Sequence, residues 1–248
     1  MLYLSPSTIS AFFRCAKRAE LLNRWKPEME PAEPFSSGIR LHKVFETGDV
    51  PPDFEFKEAL DRVRRTEAEL LDQILHREYK ISGIVRMRSM FDPNRTVECV
   101  FSRVFDVIGR DFDGNPIVLD YKTTFRSLNS FPSEMVFGFQ ASAYLLPWGL
   151  GDLAPKKVHF IAVNPRSADV RVFSRARDPL WEENFLRAFR MVASHLDLGD
   201  PLPMNPGYEC SFCDVYPLCW LGEEDPDHTS GYRKRADEDR VISFEVEI

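Results

Sequence analysis

"GNPIVLDYKTT", residues 114–124, is the stretch that decides the fold. Its apolar run Ile117–Leu119 has the length and composition of a strand buried in a sheet, so the charge that follows it belongs at a strand end, clear of the desolvation cost of the core. Asp120 and Lys122 stand two residues apart. Side chains on a strand repeat every two residues, so both point to one face. An acid and an amine converging there suit a metal ion with a water, and equally a plain salt bridge. The upstream neighbour adds a second acid. "RVFDVIG" (103–109) alternates as a strand, "RDFDGN" (110–115) carries the Asp-Gly signal of a tight reversal, and "PIVLDY" (116–121) returns. Counting outward from Asp113-Gly114 gives arms of nearly equal length, which predicts Asp106 close to Asp120. Two crowded carboxylates repel unless a cation sits between them, and hard oxygen ligands favour Mg2+ or Mn2+. Lys122 would then orient or activate a water beside the metal, a combination suited to phosphodiester hydrolysis.

Around this hairpin the pattern is mixed. Residues 7–24 read as a helix carrying Cys15, followed by the proline-rich link "KPEMEPAEP" (26–34) and a short helix bearing His42 in "SSGIRLHKVFETGD" (36–49). Residues 54–78 read as a long amphipathic helix, and residues 80–91 are also assigned to a helix. "TVECVF" (96–101) is a strand candidate. Helical spacing returns from Ser133 to Trp148, "KKVHFIAVNP" (156–165) and "ADVRVFS" (168–174) form an antiparallel strand pair, and residues 178–198 a further helix. The predicted fold class is α/β, a central mixed sheet flanked by helices.

The chain has 248 residues, 44% of them apolar, and a formal charge of -7. That charge argues against a protein coating nucleic acid indiscriminately. Its distribution is uneven: from Glu223 onward nine acids face four bases, a balance of -5, so the rest carries only -2. Local basic segments remain at 62–65, 85–88 and 166–177, each as readily a solvated face as a contact for backbone phosphates. No apolar run reaches membrane-spanning length, and "MLYLSPSTIS" lacks the basic start and apolar core of a signal peptide, which predicts a cytoplasmic protein. The expected organisation is one domain over 1–222 and an acidic tail over 223–248, whose end, "RVISFEVEI" (240–248), alternates like a strand suited to a sheet edge or a partner protein. Five cysteines, an odd number without an export signal, argue for metal binding or free thiols rather than disulfides. Cys210, Cys213 and Cys219 cluster in "CSFCDVYPLC", Cys15 lies far upstream, and Cys99 reads as a buried free thiol.

Taken in order, "RVFD", "LDYKTT" and "QASAY" resemble the Asp, Asp-x-Lys and Gln-x3-Tyr motifs of the PD-(D/E)xK nucleases, in their RecB-like exonuclease branch, and "GIRLH" resembles that branch's Gly-x3-His with Gly38 and His42. The resemblance implies a restriction-endonuclease-like core in which His42, Asp106, Asp120 and the Tyr121 carbonyl bind Mg2+ or Mn2+. Lys122 would position the attacking water, while Gln140 and Tyr144, four apart on one helical face, would orient Lys122 and contact DNA. Tyr144 also reads as core packing. One early cysteine followed by Cys-x2-Cys-x5-Cys resembles the subset with a 4Fe-4S cluster, including the AddB type and the CRISPR-associated adaptation exonucleases. Cys15, Cys210, Cys213 and Cys219 would hold that cluster and clasp the N- and C-terminal segments, although tetrahedral zinc uses the same ligand set. Lys17 and Arg18, beside Cys15, would contact the DNA backbone or balance the cluster's charge. The pattern departs at Arg103, where a glycine usually stands three residues before the first acid. The implied activity is a metal-dependent exonuclease on linear or single-stranded DNA. Rival readings are a subunit working with a helicase, CRISPR adaptation proteins or further copies of itself, and a non-catalytic iron-sulfur DNA-binding module.

Overall fold

The structure, a computed structural model, describes all residues except 29–34, 126, 131–137, 208–209, 212, 224–228, 230–231 and 235–241. In chain order its elements are β1 (Leu2–Leu4), α1 (Pro6–Arg14), α2 (Ala16–Arg24), β2 (Trp25–Pro27), α3 (Phe35–Thr47), α4 (Lys57–Leu70), β3 (Gln73–Arg88), β4 (Thr96–Arg110) and β5 (Pro116–Thr123). After these come α5 (Phe139–Leu145), β6 (Lys157–Asn164), β7 (Asp169–Ala176), α6 (Pro179–Leu198), α7 (Tyr216–Leu221), β8 (Tyr232–Lys234) and β9 (Phe244–Glu247). The chain divides into two compact units. One comprises Met1–Glu30, Ile81–Arg103 and Glu183–Ile248; the other comprises Pro31–Lys80 and Val104–Glu182.

The second unit is built on the stretch that opened the sequence. β5 pairs antiparallel with β4 from Arg110↔Pro116 to Val107↔Leu119 and parallel with β6 along its length, and β6 pairs antiparallel with β7. The sheet is therefore mixed. Gly114, at φ +76, supplies the left-handed residue that the β4–β5 reversal needs. Residues Pro116–Tyr121 are buried without alternation, the pattern of a strand covered on both faces. On one face Leu41, Val44 and Phe45 of α3 and Leu60 and Val63 of α4 pack against Val107, Leu119, Tyr121 and Ile161. Asp120 points away from Tyr121, and there it meets Tyr144 of α5.

In the first unit β1 runs parallel to β4 at Leu2↔Cys99, and β9 runs parallel to β3 from Gly83↔Phe244 to Arg86↔Glu247. The alternating end of the tail thus takes a sheet edge. Phe101 packs against Phe189 and Phe185 of α6, with ring centroids 5.2 and 6.2 Å away. The segment read as one helix over 7–24 is two, because Cys15 is extended (φ -154, ψ 108) between α1 and α2. Cys15 is a weak helix former, though no glycine or proline stands there, and at the break the Lys17 N–H donates to the Pro203 carbonyl at 3.2 Å.

Four further expectations are corrected. The helix predicted over 54–78 ends at Leu70, and the helix predicted over 80–91 is part of the 16-residue strand β3. Ile81, Gly83, Val85 and Met87 are buried on one face with period two, a signal that Gly83 and the apolar Ile84 on the other face obscured. "TVECVF" and "RVFDVIG" are one strand, β4. Of the helix predicted over 133–148, residues 133–137 lie outside the described residues, and α5 occupies Phe139–Leu145 before Pro147. No helix among the described residues is long and apolar enough to cross a membrane.

A Cβ on Gly83 would lie 2.3 Å from the Phe244 ring, so the β3–β9 pairing requires a glycine there. Gly83→Ala is expected to cost about 1–3 kcal/mol through overpacking and to loosen β9. Amide exchange over 244–247 is the check. Wild-type protection in the variant would contradict this packing.

Candidate active site

Asp106 and Asp120 come together because each stands one residue beyond Val107↔Leu119, the last regular pair of β4 and β5. The Tyr121 backbone N–H donates to Asp106 Oδ2 at 2.7 Å, and His42 Nε2 on α3 lies 3.1 Å from the same oxygen. Asp120 Oδ1 accepts from the Tyr144 hydroxyl at 2.8 Å and from Gln140 Nε2 at 3.3 Å. Lys122 Nζ sits 2.5 Å from Asp120 Oδ2, off the direction of a hydrogen bond, leaving that buried oxygen with an ionic contact and no hydrogen-bond partner. Gln140 Nε2 also donates to the Tyr144 hydroxyl at 2.7 Å, so these two residues form one polar unit on α5. Tyr144 is core and site at once: its ring is buried 5.2 Å from Phe105 and its hydroxyl meets Asp120.

Support for α5 comes from β7. Arg175 donates to Ser142 Oγ at 3.0 Å and to the Gly138 carbonyl at 3.5 Å, and its guanidinium stacks 4.7 Å from Trp181. Nothing in the local sequence pairs Arg175 with the Gln-x3-Tyr helix. Glu67 and Arg77 were likewise missed by sequence reading; both hydrogen-bond the Tyr121 hydroxyl. Glu67 lies in a charge-rich helix and Arg77 was assigned to the same helix, so only the strand after Leu70 sets them face to face.

The electrostatics follow from burial. Asp120 is 1% exposed, and burial raises its pKa above the ordinary carboxylate range; the Lys122 charge opposes the shift and the Asp106 charge adds to it. Burial also drives the Tyr144 hydroxyl well up, reinforced by the Asp120 and Asp106 charges, so it remains a donor to Asp120. Two buried carboxylates, one with an oxygen lacking a hydrogen bond, form an oxygen donor set of the kind that hard divalent cations take. As the side chains stand, His42 is turned to Asp106 and Lys122 to Asp120, and no three His, Cys, Asp or Glu side chains among the described residues are grouped so as to hold a metal ion.

In the first unit Cys15, Cys210, Cys213 and Cys219 line one pocket with Arg18, Met204 and Trp220. Burial raises the Cys213 and Cys219 thiols, and the neighbouring thiols raise Cys219 further. Cys210 Sγ accepts the Gly207 N–H at 3.4 Å. Lys17 and Arg18 are both engaged with carboxylates, Glu20 at 2.9 Å and Asp214 at 3.0 Å. Cys99 is fully buried, and burial raises its thiol. Gly38 lies in α3; the Glu46 side chain is outside the described residues.

A strand hairpin thus brings two carboxylates and a lysine together, backed by Gln140 and Tyr144. A model of the PD-(D/E)XK nuclease superfamily matches residues 3–220, and the chain belongs to that superfamily. Among solved structures, a protein from Eubacterium rectale, provisionally named an exonuclease, is 13% identical with a TM-score of 0.50, covering 92% of this chain and 93% of its own. The crystal structure of SSO0001 is 14% identical with a TM-score of 0.45, covering 89% and 87%. No curated protein matches closely enough to stand as a relative.

Because the folded pKa of Asp120 lies above its unfolded value, the stability it contributes is present in acid and lost as pH rises through the folded pKa. Asp120→Asn keeps the shape and removes the buried charge. In chelator-treated protein at neutral pH its Tm is expected to equal or exceed that of wild type, the difference vanishing below about pH 4, where the wild-type acid is protonated. A variant several degrees less stable at neutral pH would contradict a raised Asp120.

Proposed function

We propose that this chain is a Mg2+- or Mn2+-dependent DNA exonuclease of the RecB-like branch, cutting phosphodiester bonds from an end of linear or single-stranded DNA. The observation that supports this reading best is the convergence of Asp106, Asp120 and Lys122 at one end of the β4–β5 hairpin with His42 at its edge. A divalent ion held at the two carboxylates would supply positive charge against the phosphate oxygens. His42, Asp106, Asp120 and the Tyr121 carbonyl would hold it. Lys122 leaves its contact with Asp120 and holds the attacking water. That water oxygen would form the new bond to phosphorus and give up a proton to solvent, while the bond from phosphorus to the leaving sugar oxygen breaks and that oxygen takes up a proton from solvent to leave as a hydroxyl. Gln140 and Tyr144 keep Asp120 in place and contact the DNA strand.

The cysteine pocket supports a second part of the proposal, a 4Fe-4S cluster on Cys15, Cys210, Cys213 and Cys219 that clasps the two terminal segments. Four thiols from segments far apart in sequence line one pocket, two of them raised by burial, and an iron centre would relieve that crowding. Lys17 and Arg18 stand next to it on α2, as DNA contacts or as balancing charge.

The test is digestion of end-labelled single- and double-stranded DNA by anaerobically purified protein with Mn2+, alongside Lys122→Ala and Asp120→Ala. Wild type is expected to shorten the label from one end. Both variants should lose about a hundredfold or more in rate while binding DNA within a few-fold of wild type. A variant cutting at the wild-type rate would sink the site assignment. DNA bound by all three and cut by none would make the chain a subunit that acts only with a partner, or a binding module. Iron and acid-labile sulfide at about four each per chain are expected in the same preparation; one zinc instead would replace the cluster reading.

A further inference from the structure

We propose that Glu67 and Arg77 are positioning residues for the carboxylate pair and act through Tyr121. The inference takes its functional meaning from the nuclease reading above, while its geometry stands independently of it. Tyr121 lies between Asp120 and Lys122 in the strand, so its side chain points to the face opposite theirs. Its ring packs against Phe45, with centroids 4.5 Å apart, and edge-on to His42 at 6.3 Å. Its hydroxyl donates a short hydrogen bond to Glu67 Oε2. Arg77 completes the cluster: Nη1 lies 3.3 Å from both the Tyr121 hydroxyl and Glu67 Oε2, and Nη2 lies 2.5 Å from Glu67 Oε1. This two-point pairing of guanidinium and carboxylate fixes direction as well as distance. Arg77 Nη1 also donates to the Phe45 carbonyl at 3.5 Å, tying the cluster to the helix that bears His42.

A structural ion pair would need none of this to reach the active site, and here it does so through one peptide unit. The Tyr121 N–H holds Asp106 Oδ2 at 2.7 Å, and that oxygen faces His42. Tyr121 therefore links the Glu67–Arg77 pair on one side to the Asp106 carboxylate on the other. The ring is 4% exposed and packed in the core, and a cavity of about 130 Å3 lined by Phe45, Glu67, Arg77 and Tyr121 adjoins it. The hydroxyl tether adds a fixed direction to that packing. β3 departs from regular strand geometry beside Arg77: Glu78 has φ +49, a left-handed conformation that non-glycine residues adopt at a cost.

The experiment uses the full chain with Tyr121→Phe, Glu67→Gln and Glu67→Ala. It reads the exchange rate of the Tyr121 amide, the Mn2+ dissociation constant by direct titration, and DNA binding. Expected for Tyr121→Phe and Glu67→Ala is Tyr121 amide exchange at least tenfold faster and Mn2+ affinity weakened about 10- to 100-fold, the range for residues that orient metal ligands. Their DNA affinity stays within twofold, and cleavage recovers at high Mn2+. Glu67→Gln, which keeps an acceptor for the hydroxyl, falls between them and wild type. Amide exchange and Mn2+ affinity both within twofold of wild type in folded Tyr121→Phe would overturn the proposal. Should Glu67→Ala not fold, Tyr121→Phe and Glu67→Gln decide it. Wild type that neither binds Mn2+ nor cuts overturns the nuclease reading instead, and the amide exchange then decides the positioning by itself.

Discussion

The hydrogen bond from the Tyr121 backbone N–H to the Asp106 carboxylate, 2.7 Å long, is the interaction on which the rest of the candidate site depends. It sits where regular pairing between β4 and β5 ends, so a side chain takes over the role that a ladder carbonyl would have. Asp106 is thereby fixed beside Asp120, and two buried carboxylates share a region where neither is fully solvated. Separated, each would be an ordinary strand-end acid. Together they concentrate negative charge in a buried place and so demand a positive partner, which here is the Lys122 ammonium 2.5 Å from Asp120 Oδ2.

The fold meets that demand from both faces of the sheet. On one face Gln140 and Tyr144, with Arg175 bracing their helix, hold Asp120 Oδ1. On the other, His42 and the Glu67–Arg77–Tyr121 cluster fix the peptide that grips Asp106. Lys122 stands at the open end, 21% exposed, and with His42, 31% exposed, it gives the set its access to solvent. Burial near the carboxylates and exposure at the amine suit a site in which the acids hold an ion and the amine handles water.

The first unit follows a different logic. The four cysteines that line its pocket come from the segment at Cys15 and the segment from Cys210 to Cys219, and a broken helix pair exposes Cys15 to the same pocket as the other three. Leu21 and Trp25 pack there with Val215, Leu218 and Tyr232 in a small core of their own. Thiol chemistry and apolar burial thus act on the same pair of segments.

Much of this was legible in the residues. The period-two spacing of Asp120 and Lys122, the Asp-Gly reversal and the equal arms around it brought Asp106 to Asp120 without any coordinates, because strand geometry leaves a hairpin of given turn position one register. The spacing of Gln140 and Tyr144 likewise fixed their common helical face. What the residues did not reveal depends on contacts far apart in sequence. Whether 73–88 is helix or strand turned on which face found a partner, and that choice placed Arg77 opposite Glu67 rather than along the same helix. The break at Cys15, the seat of Phe244 on Gly83 and the bracing of α5 by Arg175 are of the same kind. Local sequence determined the hairpin and its chemistry, since those follow from short-range geometry. Only the tertiary structure decided what holds that chemistry in place, since packing partners are chosen by the whole chain at once.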